Sequence, residues 1–488
     1  MNNSNPSHFD LQAAAKQLML ENDFRPDFGP DVQQQLAQIK SRPPQAAPAN
    51  VKDLRNLLWS SIDNDTSRDL DQIEYAEKLP DGTTKVMVGI ADVDSFVPKG
   101  TPIDVHAARE TCTVYTGVRN FSMIPEELST GTTSLLEVDG KLSMVTEFIV
   151  DGNGTVTKQQ IYPALVTNKA QLAYPSVGAW LEGRGPAPAK VAASAELQAQ
   201  LKLQDQVAQA LKTERHNHGA LDIETIEVSP VMLNDNVVDL QKQEKNRATE
   251  LIEDFMIAAN GVVARTLEQA GISSIRRVVK TPKRWDRIVA LAAEHGGKLP
   301  AEPDSKALND FLQIRRAQDP DHFADVSLTV IKLMGSGEYV VERPGEPSPG
   351  HFGLAVQDYT HSTAPNRRFA DVVTQRLLKS VVSHQKSPYS DDELSAIATN
   401  CTTREDAARK VERGMTKRVA AVSMSSRLGQ IFDGIVTGAG PKGTFVRVLA
   451  PHVEGMLMHA QGVDVGDRLR VKLVNADPHR GFIDFVKA

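Results

Sequence analysis

Asp63, Asp65, Asp69 and Asp71 fall within nine consecutive positions of "SIDNDTSRDLDQI" (61–73), and this density of like charge constrains the fold more than any other feature of the chain. Carboxylates this close repel one another unless something positive sits among them. If "DLD" is extended, Asp69 and Asp71 point to the same face, because strand side chains alternate. Asp63 can return to the same spot through the intervening loop. Three hard oxygen ligands gathered in this way suit Mg²⁺ or Mn²⁺. Magnesium held by few carboxylates, with positions left for phosphate and water, is the usual phosphodiester-cleaving arrangement. Gln72 breaks the acidic run.

Two other readings compete. Asp63, Asp65, Ser67, Asp69, Asp71 and Glu74 occupy ligand positions of a calcium-binding EF-hand loop, but Arg68 stands where its sharp turn wants glycine. The following "PDGTTKVMVGI" also reads as a turn and strand, not an exit helix. The plainer alternative is a solvated acidic loop.

A chain of 488 residues has room for roughly three domains. Its net charge of −7 gives no global pointer to nucleic acid or membrane, so any nucleic-acid site must come from local basic clusters. Two such clusters occur. Residues 276–287, "RRVVKTPKRWDR", form one; Arg404, Arg409, Lys410, Arg413, Lys417, Arg418 and Arg427 form the other. Cys112 and Cys401 cannot build a disulfide framework, which points to a reducing compartment. The N-terminus lacks a signal-peptide pattern, and no apolar run approaches the ~18 residues of a membrane span. The expectation is a cytoplasmic monomer with no membrane partner.

Helical periodicity predicts two short helices within 8–40, either a helix-turn-helix or a cap on the main domain, followed by a stiff linker at 41–50. "KVMVGIADVDSFV" (85–97) predicts a buried strand, and 143–166 a second β segment. Helices are predicted over 194–215, 250–271, 370–382 and 391–427. The last 60 or so residues change to five short β segments, which suggests an OB-type barrel. The expected fold is therefore an α+β catalytic domain (51–428), a small helical N-terminal region (1–50) and a C-terminal β-barrel (429–488).

The acidic stretch is followed, in order, by "GIADVDSFV" (89–97), "VYTGVRNFSMIPEELS" (114–129), "HGALDI" (218–223), "LIEDFMIAAN" (251–260), "HFGLAVQDYTHSTAPNRRFADVVTQRLLK" (351–379) and "ARKVERG" (408–414). A tail containing "GTFVRV" and "VEGMLMHA" closes the chain. In this order and spacing the sequence, over roughly 51–488, resembles the ribonuclease II/ribonuclease R family, whose catalytic RNB domain is joined to an S1-type RNA-binding OB-fold.

The resemblance implies a processive, two-metal-ion 3′→5′ exoribonuclease. Such an enzyme releases nucleoside 5′-monophosphates from single-stranded RNA threaded by its 3′ end into a channel, and leaves a short oligonucleotide. It implies that Asp63, Asp69 and Asp71 are catalytic metal ligands for Mg²⁺ (or Mn²⁺), with Gln72 in place of a fourth aspartate. Arg367 falls on the arginine that grips the scissile phosphate, and Tyr115 on an aromatic that stacks near the 3′ end. Glu412 falls beside the terminal nucleotide; Phe445 and His459 fall where the S1 domain stacks bases. Ile223 stands where a second stacking aromatic is common. Two cold-shock domains usual in bacterial members have no counterpart in the roughly 50 residues before the catalytic block. The alternative is an RNA-binding relative disabled at Gln72.

Overall fold

The apolar run after the acidic loop forms the middle of a seven-stranded sheet. The computed structural model describes residues 9–42, 50–137, 140–224, 227–233, 236–243, 245–320, 322–440 and 443–488, so most of the expected linker lies outside the described residues. The sheet order is Lys52–Asp53, Val156–Val166, Lys141–Val150, Thr84–Ala91, Gln72–Lys78, Trp59–Asp63, Asn168–Ala173, antiparallel except for the two edge pairings. Alternation divides the side chains. Trp59, Ile73, Met87, Val145 and Tyr162 pack together in one cluster. Ile62, Val86, Val88, Ile90 and Phe148 join a larger core with the helices Ala195–Asn217 and Arg247–Gln269.

The strand predicted for 85–97 stops at Ala91. Beyond it, Asp92 and Asp94 are drawn into a turn by the buried helix Phe369–Val382. Gln375 Nε2 donates to Ala91 O at 2.9 Å, and Lys379 reaches Asp92 at 2.6 Å. Arg376, only 4% exposed, bonds Asp94 at 2.7 Å, Asp104 at 2.8 Å, Val97 O at 2.7 Å and the Tyr389 hydroxyl at 2.7 Å.

The 35-residue helix Asp391–Ser425, begun by a Ser390–Glu393 capping box, joins this body to the barrel. At 1.5 Å per residue it spans roughly 50 Å. Leu11, Ala15, Met19 and Phe24 of the N-terminal region share a core with Val411, Met415 and barrel residues such as Phe485. Val32, Leu36 and Ile39 belong instead to the main core. The two N-terminal helices, Leu11–Glu21 and Pro30–Ser41, thus turn to different partners and cap the body instead of forming a self-contained helix-turn-helix.

The C-terminal strands close a five-stranded barrel in the order Ile431–Gly440, Gly443–Leu449, His452–Leu457, Phe482–Lys487, Arg468–Asp477, as an OB-type fold requires. Arg447 Nη2, shared between the two carboxylate oxygens of Asp325 at 2.9 and 3.0 Å, ties it to the helix Phe323–Met334.

Arg376 should be the most costly of these anchors to remove. Arg376→Met leaves the buried Asp104 without its cation and Asp94 with Lys379 alone, at 3.1 Å, so we expect a loss of about 3–5 kcal/mol, measurable as a lowered urea midpoint. A change under about 1 kcal/mol would show that Arg376 does not hold this corner.

Candidate functional site

The acidic loop is clamped on both sides. Leu70 N donates to Ser134 Oγ at 2.9 Å, Ser134 Oγ donates to Arg68 O at 2.6 Å, and Leu135 N donates to Leu70 O at 2.9 Å. On the other edge Ala91 N donates to Asp71 O at 2.9 Å. These bonds hold residues 68–71 against their neighbours on both sides, immediately before the strand Gln72–Lys78. Asp63 ends its strand, and its Oδ1 accepts from Asn64 N at 2.7 Å and from Ser67 Oγ at 2.8 Å. Asp65 is exposed. Glu74 lies within a strand, so the EF-hand reading has no exit helix to stand on.

A second piece of backbone brings the cation. Thr113 N donates to Arg367 O at 3.0 Å, and Phe369 N to Thr111 O at 2.8 Å, which lays 111–113 beside 367–369. Within "NRR" the tertiary structure separates the two arginines. Arg368 is committed to Asp371, at 2.8 and 2.9 Å. Arg367 leaves 46% of its side chain exposed and approaches Asp71 Oδ2 at 3.5 Å. Asn366 N donates to Asp71 Oδ1 at 2.9 Å. Tyr115 donates its hydroxyl to Asp69 Oδ2 at 3.2 Å, and its backbone N–H donates to Glu412 Oε1 at 3.1 Å. Tyr115, Arg367 and Glu412 line one cavity of about 200 Å³.

Burial dominates the titration here. It pushes Asp71, 2% exposed, up to about 7; Arg367 and the Asn366 N–H pull against this, while Asp69 adds to it. Burial also raises Asp69, opposed by Arg367 and the Tyr115 hydroxyl and aided by Asp63. Glu74, wholly buried, is raised well above the carboxylate range by burial first and then by Asp63. Burial therefore favours the neutral acids over the carboxylates, and the donors are hard oxygens, as a divalent ion prefers. Among the described residues no three acidic, histidine or cysteine side chains are already gathered at metal-holding distance.

The structure thus brings Asp69, Asp71, Tyr115, Arg367 and Glu412 together, with Asp63 close enough for its charge to act on Asp69. Phe445 and His459 stay on the barrel and do not line this cavity; His459 is exposed with a φ of 54°. Ile223 packs on the helical cluster around Trp285 and Phe311. Half of the first basic cluster is paired with acids. Arg276 binds Glu342 at 2.7 Å, Arg277 binds Glu405 at 2.5 Å, and Lys280 binds Glu338 at 2.5 Å. Sequence reasoning did not single out Asn366, although it stands beside Arg367; a backbone N–H is a donor that any residue type supplies, so no side-chain pattern marks it.

Comparison with known proteins places this geometry in context. Residues 51–384 match the family model of the RNB domain, and residues 430–488 that of the RNase II-type exonuclease C-terminal S1 domain. The chain is 30% identical to "Ribonuclease R" of Thermotoga maritima, with 89% of this chain and 64% of that protein covered. It is 29% identical to "Ribonuclease R" of Escherichia coli, covering 89% of this chain and 54% of that one. The chain therefore spans between about half and two thirds of the length of these relatives. The structure of Mycoplasma genitalium RNase R in complex with ribose-methylated single-stranded RNA superposes with a TM-score of 0.88 at 22% identity, over 98% of this chain and 78% of that one, and shows the shared fold.

The proton affinity of Asp71 fixes a sign for the pH dependence of stability. Its carboxyl is raised on folding, so its contribution is complete below the unfolded value of 3.8 and is lost as pH rises through about 7. In chelator, the urea midpoint of the wild type should fall between about pH 5 and about pH 8. Asp71→Asn, which keeps an acceptor for Asn366 N, should flatten that fall; an unchanged slope would show that Asp71 does not carry it.

Proposed function

The chain belongs to the RNB family of RNase II-type exonucleases, and from that membership we propose that it is a metal-dependent exoribonuclease shortening single-stranded RNA from the 3′ end. The observation that carries the reading is that Tyr115 and Arg367, which line one cavity, reach Asp69 and Asp71 respectively. The relatives' name and the RNA held by the Mycoplasma genitalium protein support it.

Asp63, Asp69 and Asp71 would hold the divalent cation, Mg²⁺ or Mn²⁺. When bound, such an ion polarises the phosphodiester and lowers the pKa of an attacking water. Arg367 presents a planar fork to the same phosphate and offsets the charge that develops on it. Arg368, locked to Asp371, holds the backbone that aims Arg367. Tyr115 has its hydroxyl tied to Asp69 and remains 38% exposed, so its ring offers a base a face worth ~1–3 kcal/mol. Glu412, positioned by Tyr115 N, supplies an acceptor for ribose hydroxyls, the groups that separate RNA from DNA. Phe445 and His459 extend the strand's path onto the barrel as further stacking groups.

A second reading, an RNA binder without cleavage, is favoured by one residue: Gln72 is neutral where the family places a fourth acid. A 5′-labelled RNA incubated with Mg²⁺ or Mn²⁺ and resolved by size tests both. The wild type should shorten the strand from its 3′ end. Should it fail at every metal concentration while Gln72→Asp succeeds, the chain is the binder. Asp71→Asn should lower the rate by roughly a thousandfold or more with RNA affinity retained; a rate within about threefold of wild type would remove Asp71 from the chemistry.

Tyr115→Ala removes a platform and leaves the reacting groups in place. The limit product should lengthen while early turnover persists, and an unchanged product ladder would count against the stacking role.

A further inference from the structure

Thr111 stands at φ 63° and ψ −20°, in the left-handed region where a β-branched side chain is strained. Such a conformation persists only when its surroundings over-determine it. One side of Thr111 is held by the bonds from Phe369 N to Thr111 O and from Thr113 N to Arg367 O. The other side is Glu110. It ends the helix Pro102–Glu110, where the helix dipole disfavours an acid, and it is buried. Its own helix therefore gives no reason for a carboxylate here.

Its partners give one. Arg25 N donates to Glu110 Oε2 at 3.0 Å, Arg404 comes within 3.9 Å of the same oxygen, and Arg109 lies 3.5 Å from Oε1. Arg404 also donates to Asn22 O at 3.2 Å and to Asp23 O at 3.1 Å, just past the helix Leu11–Glu21, and covers the buried Phe24 ring at 3.8 Å. The turn at 22–25 thus meets Glu110 and Arg404 together. Arg404 and Glu412 share the helix Asp391–Ser425, roughly 12 Å apart at its rise per residue. Glu412 Oε1 in turn accepts from Tyr115 N at 3.1 Å. The segment from Glu110 to Tyr115 is therefore fastened at both ends to one helix, and the N-terminal turn completes the first fastening.

We propose that the N-terminal region is a brace for the site: through Glu110 and Arg404 it holds Thr111 in its strained conformation and so sets the position of Tyr115. Glu110 is then a positioning residue for the 3′ end of the RNA, although it touches neither RNA nor the acids. The proposal rests on the reading that Tyr115 stacks on a base. It gives the first helix a role in the site that capping the core does not supply.

Hydrogen exchange of the RNA-free protein, followed by mass spectrometry, tests the brace without any cleavage. Glu110→Leu should speed exchange of the amides at 111–115 by roughly tenfold or more. Glu110→Gln, which keeps an acceptor for Arg25 N, should stay near wild type. Glu110→Leu/Thr111→Gly should recover most of the protection, because glycine adopts this φ without strain. Should Glu110→Leu not fold, Arg404→Lys keeps the cation but loses the fork that reaches Asn22 and Asp23, and should speed the same amides. Unchanged exchange in the folded variants overturns the proposal. With RNA, Glu110→Leu should lengthen the limit product as Tyr115→Ala does and add nothing in the Tyr115→Ala background. An unaltered ladder, where Tyr115→Ala alters it, also overturns the proposal. Faster exchange in the variants of a wild type that never cleaves supports the brace and sinks the exonuclease reading. Unchanged exchange in the variants of a cleaving protein sinks the brace alone.

Discussion

The site turns on one unbalanced burial: the Asp71 carboxyl is 2% exposed and is met by a single backbone N–H at 2.9 Å and a guanidinium at 3.5 Å. Neither contact neutralises it, as its raised proton affinity shows. The arrangement persists because the backbone on each side is fixed independently of the charge. Ser134, Leu135 and Ala91 bond the acidic segment, while Thr113 and Phe369 bond the loop bearing Arg367. Each segment is held by backbone bonds of its own, and the Asn366 N–H bond to the Asp71 carboxylate joins the two. A ligand then meets charged groups already in place, the condition for electrostatic preorganisation.

The same economy explains how a chain of net charge −7 can present a cation at its site. Several of its arginines serve the fold. Arg276, Arg277, Arg368 and Arg376 are each paired with acids inside the structure, and Arg404 lies over the Phe24 ring at 3.8 Å. Arg367 is distinguished from Arg368 by its partial exposure and its long contact to Asp71. Charge density along the chain is therefore a poor guide to the surface potential, because a cluster counted in sequence includes residues neutralised by distant acids.

Much of the architecture could be read in advance. The helices Phe369–Val382 and Asp391–Ser425 follow the predicted periodicity within a few residues, and the five C-terminal segments form a closed barrel. These elements are local: side-chain period and turn residues specify them. The strand after the acidic loop was overextended in the sequence reading because Asp92 and Asp94 interrupt it only by pairing with Lys379 and Arg376, nearly 290 positions away. The helix-turn-helix alternative fails for the same reason, since its two helices take their partners from different cores.

By itself the sequence determined the element types, the acidic loop and the family, because period, composition and ordered blocks are properties of the chain. Tertiary structure decided which of two adjacent arginines faces the acids, that Asn366 contributes its backbone N–H, and that Glu74 lies buried with both oxygens unpartnered. Each of these depends on segments tens to hundreds of residues apart meeting in space. The burial and field of a side chain are set by those neighbours, and no local pattern encodes them.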